Sequence, residues 1–429
     1  MLRNLAQLLS TNALTSVAGL LCLPLLYRSL GASGYGHLSL FLLALGLLSN
    51  LDLSRPILVR EYSAGAEDGE RSKLPSLVRA SQLLLAPLAL LVGALTVGLP
   101  MGLALAVGIL LFVATSEPYA ELCARGQVGT AASIRNLVWV AAILTATVLS
   151  LSFPSPAALI WPFVGANLLI FLLVRWRAGT RRAPQRWLPD AEVLRTHGPQ
   201  ALDILGLSLA VGVVTSVDRL LLNASCDGEA FGRYSAQYDL ALKVHILSTA
   251  LGTVLFPALS RLFAERGHLE AARIFVQRAS WIVLGYFLFL GALIVFSADV
   301  LRILFGTDMT QTRPVYPLLL VGVFLGLFGH LITPWQRACG DYRTQRRAYA
   351  LAALVTVAVG LVLIPRYQML GAAIAFLSAR SADALLVISE VRRLPREVLG
   401  TPRIVALCTL TAGLVALGLY HAFGAEVVA

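Results

Sequence analysis

"ILGLSLAVGVVTSVDRLLLNA" (204–224) is an apolar run interrupted near its end by an acid beside a base. Its length matches the roughly 20 residues that a helix needs to cross about 30 Å of hydrocarbon, so it reads as a membrane span that begins around Ala201. A charged side chain at that depth costs roughly 2.5–3.5 kcal/mol on insertion scales. Asp218 and Arg219 are adjacent, about 100° apart on a helix, and cannot pair face to face. Their partners must come from other helices or from a wet cavity.

The same pattern extends over the whole chain. Of 429 residues, 58% are hydrophobic and only 13% charged, against about 25% charged in soluble domains. Thirteen apolar blocks can be marked, at about 5–28, 37–58, 79–98, 102–122, 133–152, 156–176, 200–223, 231–256, 278–298, 315–335, 346–364, 368–390 and 403–423. Only helices and closed barrels satisfy their backbone polar groups inside lipid. The fold class is therefore an all-α polytopic membrane protein.

The net charge of +11 could suggest a nucleic-acid partner, but its placement argues against one. Of 34 Lys and Arg, 25 fall at the N-terminus or in and at the edges of alternate loops. Five (Arg28, Arg233, Arg302, Arg313, Arg366) fall in the other loops, and four lie inside blocks. This asymmetry is a positive-inside signal. It puts the N-terminus and the runs at 175–187, 343–347 and 391–396 in the cytoplasm, and an odd number of spans puts the C-terminus outside. The cysteines show no paired or metal-like spacing, and no metal or cofactor motif occurs.

Self-similarity divides the chain further. "GASGYGHLSLF" (31–41) and "DGEAFGRYSAQY" (227–238) each place a Gly-rich turn ending in aromatic–Gly before a helix. The second block leaves as "RPILVREYSAGAEDGERSKLPSLVRAS" (55–81), the eighth as "FPALSRLFAERGHLEAARIFVQRAS" (256–280); both run from Pro through Arg to Arg-Ala-Ser. "SEPYAELCARGQ" (116–127) is similar to "ITPWQRACGDYR" (332–343). These matches predict two six-helix lobes, 1–178 and 200–393, related by a parallel pseudo-two-fold repeat. A basic linker (179–199) joins them, and one extra helix lies in 394–429. In transporters such halves pack around a midplane site, and their rocking gives alternating access.

Few ionisable residues lie inside the blocks. Asp52 and Arg55 are spaced i,i+3, Asp239 and Lys243 i,i+4, and Arg380 and Asp383 i,i+3, spacings that put each pair on one helix face. Arg28 ends the first block, and Glu117 lies late in the fourth. Arg28, Arg55, Arg219, Lys243 and Arg380 together suggest an electropositive lumen suited to a phosphate, a diphosphate or an acidic sugar. Asp52, Glu117, Asp218, Asp239 and Asp383 are then candidates for gating or ion coupling.

"LPLLYRSLGASGYGHLSLF" (23–41), "SVDRLLLNASCDGEAFGRYSAQYDLALKV" (216–244) and "LGTVLFPALSRLFAE" (251–265) resemble the polysaccharide transporter family. That family holds the Wzx-type O-antigen and capsule repeat-unit flippases, within the multidrug/oligosaccharidyl-lipid/polysaccharide exporter superfamily. The resemblance implies a non-enzymatic carrier of undecaprenyl-diphosphate-linked glycan in the bacterial inner membrane. It also implies cationic residues lining the lobe interface, at Arg28, Arg55, Arg219 and Lys243 in this sequence. A polysaccharide polymerase complex is a further candidate partner. No cofactor is implied; Na⁺, H⁺ and the membrane potential stay open as driving forces. Two alternatives are a cation-coupled drug exporter of the same superfamily and a membrane glycan polymerase or ligase. The related lipid II flippases carry two extra C-terminal helices, whereas one extra block is present here.

Overall fold

The computed structural model describes the backbone of residues 2–64, 73–179, 190–306, 309, 312, 314–338, 342–391 and 402–423. Among these residues the chain forms thirteen α-helices and no strand. They are α1 (Leu2–Asn50), α2 (Ser54–Ala64), α3 (Ser76–Val97), α4 (Leu99–Ala114), α5 (Ser116–Ala124), α6 (Val128–Ser152) and α7 (Pro156–Ala178). There follow α8 (Ala191–Ser225), α9 (Gly228–Val295), α10 (Ser297–Phe305), α11 (Val315–Ala338), α12 (Tyr342–Val391) and α13 (Pro402–Phe423).

The three longest helices, α1, α9 and α12, have 49, 68 and 50 residues, and each is broken inside. In α1 the break is at Gly31 (φ 70°, ψ 171°), in the Gly-rich stretch that the sequence marks as a turn. The Tyr27 and Tyr35 rings meet across it at 5.8 Å, whereas an unbroken helix would hold residues eight apart at about 12 Å along its axis. The chain therefore folds back there, and α1 contains the first two apolar blocks. In α9 the break is at Gly267 (φ 73°). In α12 it is at Gln368, whose φ of 47° is uncommon for a residue with a Cβ. Close by, a Cβ on Gly371 would collide with the Leu363 carbonyl, so only glycine allows the chain to reverse this tightly.

Two apolar blocks are interrupted instead. The second, expected to run as one helix to residue 58, stops at Asn50 and restarts at Ser54. The fourth breaks at Thr115, between α4 and α5. Asp52 and Arg55 therefore do not share one helix face, because a non-helical step separates them.

By its contacts the chain divides into two compact units, Met1–Gly212 and Val213–Ala429, with the division inside α8. In the first unit α1 packs on α6, α3 on α4, α7 on α4 and α6, and α2 on α5. The backbones of α3 and α4 touch where Gly93 meets Gly102, the close approach that small residues permit between membrane helices. An interhelical hydrogen bond from Asn136 Nδ2 on α6 to Asn12 Oδ1 on α1 (2.6 Å) adds a polar tie. In the second unit α11 is the core helix: it packs on α9, α12 and α13. Of its apolar window 83% is buried, against 28–44% in the other candidate spans.

Those low figures carry a physical message. Leu83, Leu91, Leu95, Leu103, Leu144, Leu151 and Trp176 stand exposed, together far more apolar surface than a soluble monomer presents to water. Among the described residues nine helices are long and apolar enough to cross a membrane. The chain is a multi-pass membrane protein.

Candidate functional site

Each unit holds a cluster of intramembrane charges among the described residues. In the second unit the cluster starts at Asp227, whose side chain accepts the Ala230 N–H (2.7 Å) and caps α9. From that start, Tyr234 and Tyr238 fall on one face at i,i+4 spacing. Tyr234 donates its hydroxyl to Asp218 Oδ2 (2.7 Å), and Tyr238 donates to the Thr215 carbonyl (3.1 Å). Arg219 lies 3.6 Å from Asp239 Oδ1 and 4.2 Å above the Tyr238 ring. The neighbours Asp218 and Arg219 thus each take a partner on α9, as their angular separation on α8 requires.

α12 completes this cluster. Phe376 meets the edge of Tyr238 at 5.3 Å, and the Arg380 guanidinium lies 5.3 Å from the Phe376 ring. A glycine holds Phe376 in place: a Cβ on Gly322 of α11 would overlap the Phe376 ring. Asp218 is fully buried, Arg219 is 8% exposed and Arg380 6%. Asp218 Oδ1 and Arg219 Nε are both buried with no hydrogen-bond partner among the described residues. Arg380 also acts electrostatically on His330 of α11.

The first-unit cluster is built on its two helix breaks. Asp52 Oδ1 accepts the Ser54 N–H (3.0 Å) and hydroxyl (2.6 Å) at the start of α2. Its Oδ2 accepts the Ser116 hydroxyl (2.5 Å) at the start of α5. Arg55 donates from Nε to Ser116 Oγ (3.3 Å). Its Nη2 donates to the Phe112 carbonyl (3.2 Å) and to Thr115 Oγ1 (2.8 Å). The guanidinium lies 4.1 Å from the Phe112 ring and 5.2 Å from Tyr119. Arg55 and Asp52 remain 3.9 Å apart, bridged by Ser116 rather than aligned along a helix.

The other expected site residues are placed as follows. Lys243 is half-buried and forms no ion pair among the described residues; the expected Asp239–Lys243 pair is replaced by Asp239–Arg219, because Arg219 reaches Asp239 from the adjoining helix. Arg28 is exposed at the end of the segment before Gly31. Glu117 sits in the first turn of α5, within the field of Arg175 and Arg79. The Asp383 side chain lies outside the described residues. The sequence does not single out Ser116, Thr115, Tyr234, Tyr238 or Arg135. The aromatic spacing of "RYSAQYD" is a usable signal for the two tyrosines, whereas Arg135 reads in the sequence only as a topology charge.

A family model described as "Polysaccharide biosynthesis protein" matches residues 100–314, just over half of the chain. The chain belongs to this family. No curated protein sequence matches it. Among solved structures, the lipid II flippase MurJ in an inward closed conformation is similar with a TM-score of 0.68, at 14% identity, covering 97% of this chain and 96% of that one. A point mutant of the MATE transporter VcmN of Vibrio cholerae gives 0.54 at 15% identity, covering 91% and 97%. A MOP superfamily transporter from Pyrococcus furiosus gives 0.51 at 14% identity, covering 96% and 94%. At such identities the likeness establishes the fold alone, and this family member has the MurJ/MATE fold.

Proposed function

We propose that the chain is a flippase that moves an undecaprenyl-diphosphate-linked oligosaccharide, an O-antigen or capsule repeat unit, from the cytoplasmic to the periplasmic leaflet by alternating access. Family membership and the MurJ-like fold support a lipid-linked glycan as substrate. The observation that carries the reading is the second-unit cluster, where Arg219 and Arg380 are buried in membrane helices beside two carboxylates and two tyrosines. Charges buried at that depth are retained for function rather than stability. Arginine also offers a diphosphate planar, bidentate hydrogen bonding. The paired lobes 1–178 and 200–393, their parallel repeat and a cytoplasmic N-terminus in the inner membrane belong to the same proposal. So does a transport role without bond chemistry, driven by Na⁺, H⁺ or the membrane potential through Asp239, Asp383 or Glu117. Moving one charge across 100 mV supplies about 2.3 kcal/mol.

The test is glycan analysis of a deletion strain complemented with Arg219→Ala or Lys243→Ala. The expected result is loss of surface glycan while the variant protein stays in the membrane. Wild-type surface glycan from both variants would rule out the headgroup role of these cations. A cation-coupled drug exporter is the second reading, supported by the likeness to MATE transporters. It predicts increased drug sensitivity in the deletion strain with surface glycan intact.

A further inference from the structure

The first unit holds a partly open cavity of about 20 Å³ among α2 and α4–α7, room for one water-sized body. Arg55 and Arg135 line it, with Tyr119, Trp139, Thr115 and Asn167, and no carboxylate is among the lining residues. Arg55 is already engaged by Ser116, Thr115 and the Phe112 carbonyl, with Asp52 on its other side. Arg135 is not. It is half-buried, the eighth residue of α6 and so about 10 Å along that helix. Among the described residues it makes no hydrogen bond or ion pair.

The wall is therefore rich in donors and carries two positive charges, of which only Arg55 has a carboxylate nearby, Asp52 at 3.9 Å. A cation held partly out of water without a counter-charge attracts an anion. A water molecule in this cavity would leave that charge uncompensated, whereas a monovalent anion would neutralise it. Room for one water-sized body favours a monatomic anion over tetrahedral oxyanions such as phosphate or sulfate, each of which has five heavy atoms. We propose that this cavity is a binding site for a single small inorganic anion of the halide class, held by Arg135 with Arg55 as the opposite positive wall. The anion would be a fixed component of the first unit, separate from any glycan headgroup.

The experiment uses the purified full-length protein in a non-ionic detergent, without glycan substrate. Chloride binding is read from ³⁵Cl NMR line broadening, with bromide as competitor and sodium gluconate holding the ionic strength constant. The expected result is broadening that bromide displaces, weakened at least tenfold in Arg135→Gln, partly kept in Arg135→Lys, and unchanged in Arg347→Gln at the exposed start of α12. Broadening in Arg135→Gln equal to wild type, or none in wild type, would overturn the proposal. Should Arg135→Gln fail to accumulate, anomalous diffraction from bromide-soaked wild-type crystals decides. A peak in contact with the Arg135 guanidinium supports the site, and no peak there overturns it.

Discussion

The two charge clusters use the same residue types to different ends. In the first unit Asp52 receives three hydrogen bonds, from the Ser54 N–H, the Ser54 hydroxyl and the Ser116 hydroxyl. Arg55 donates three. Both residues sit where helices stop, and their bonds satisfy groups that two interrupted helices would otherwise leave orphaned in lipid. In the second unit Asp218, Arg219 and Asp239 project from unbroken helical turns, and Asp218 Oδ1 and Arg219 Nε keep unused capacity. A densely bonded knot resists rearrangement, while a cluster with spare buried donors and acceptors can exchange partners at small cost. Under the proposed function, the first cluster serves as a structural latch between α2 and α5, and the second engages the charged substrate.

The largest effect that tests this contrast is expected from Asp52→Ala. Removing the buried carboxylate leaves half-buried Arg55 without its counter-charge and three donors without an acceptor, and the destabilisation should be about 3–5 kcal/mol, read by denaturant titration in mixed micelles. Wild-type stability with abolished transport would invert the comparison, making Asp52 a substrate-side group. Tyr234→Phe comes next. It deletes the donor to buried Asp218, a hydrogen bond to a charged group, and should cost about 1.5–3 kcal/mol. The same change combined with Asp218→Asn should cost less than the sum of the two, since they share one bond; strict additivity would separate Asp218 from Tyr234. The smallest stability effect belongs to Lys243→Ala, expected within about 0.5 kcal/mol because no described partner is lost. A loss above that range would mean that Lys243 acts as a structural element, and its proposed contact with substrate would lose its support.

The span pattern was legible because each apolar block is as long as the hydrocarbon is thick, a constraint local to about 20 residues. The breaks at Gly31 and Gly267 were legible to the extent that glycine marks positive φ, but the break at Gln368 carried no such mark. The Asp218 and Arg219 geometry followed from helix angle, which excluded a mutual pair. The identity of their partners did not. Tyr234 lies 16 residues from Asp218, across a helix boundary whose packing angle no local rule supplies. The Asp52–Ser116 bond spans 64 residues, further still from any periodicity argument. Arg135 blends into the cytoplasmic charges because a positive residue near a helix end satisfies the topology rule wherever its side chain points.

By itself, the sequence determined that this is a helical membrane protein, roughly where its helices run, and which few charges must be accommodated among them. Those are one-dimensional quantities: hydropathy per residue, summed over a membrane thickness. The tertiary structure alone decided that Asp52 and Arg55 knit two helix breaks together, that Asp239 belongs to Arg219 rather than to Lys243, and that Arg135 faces a cavity. A charge in a low-dielectric interior is governed by the atoms within a few ångströms of it, and in a helical bundle most of those atoms belong to distant parts of the chain.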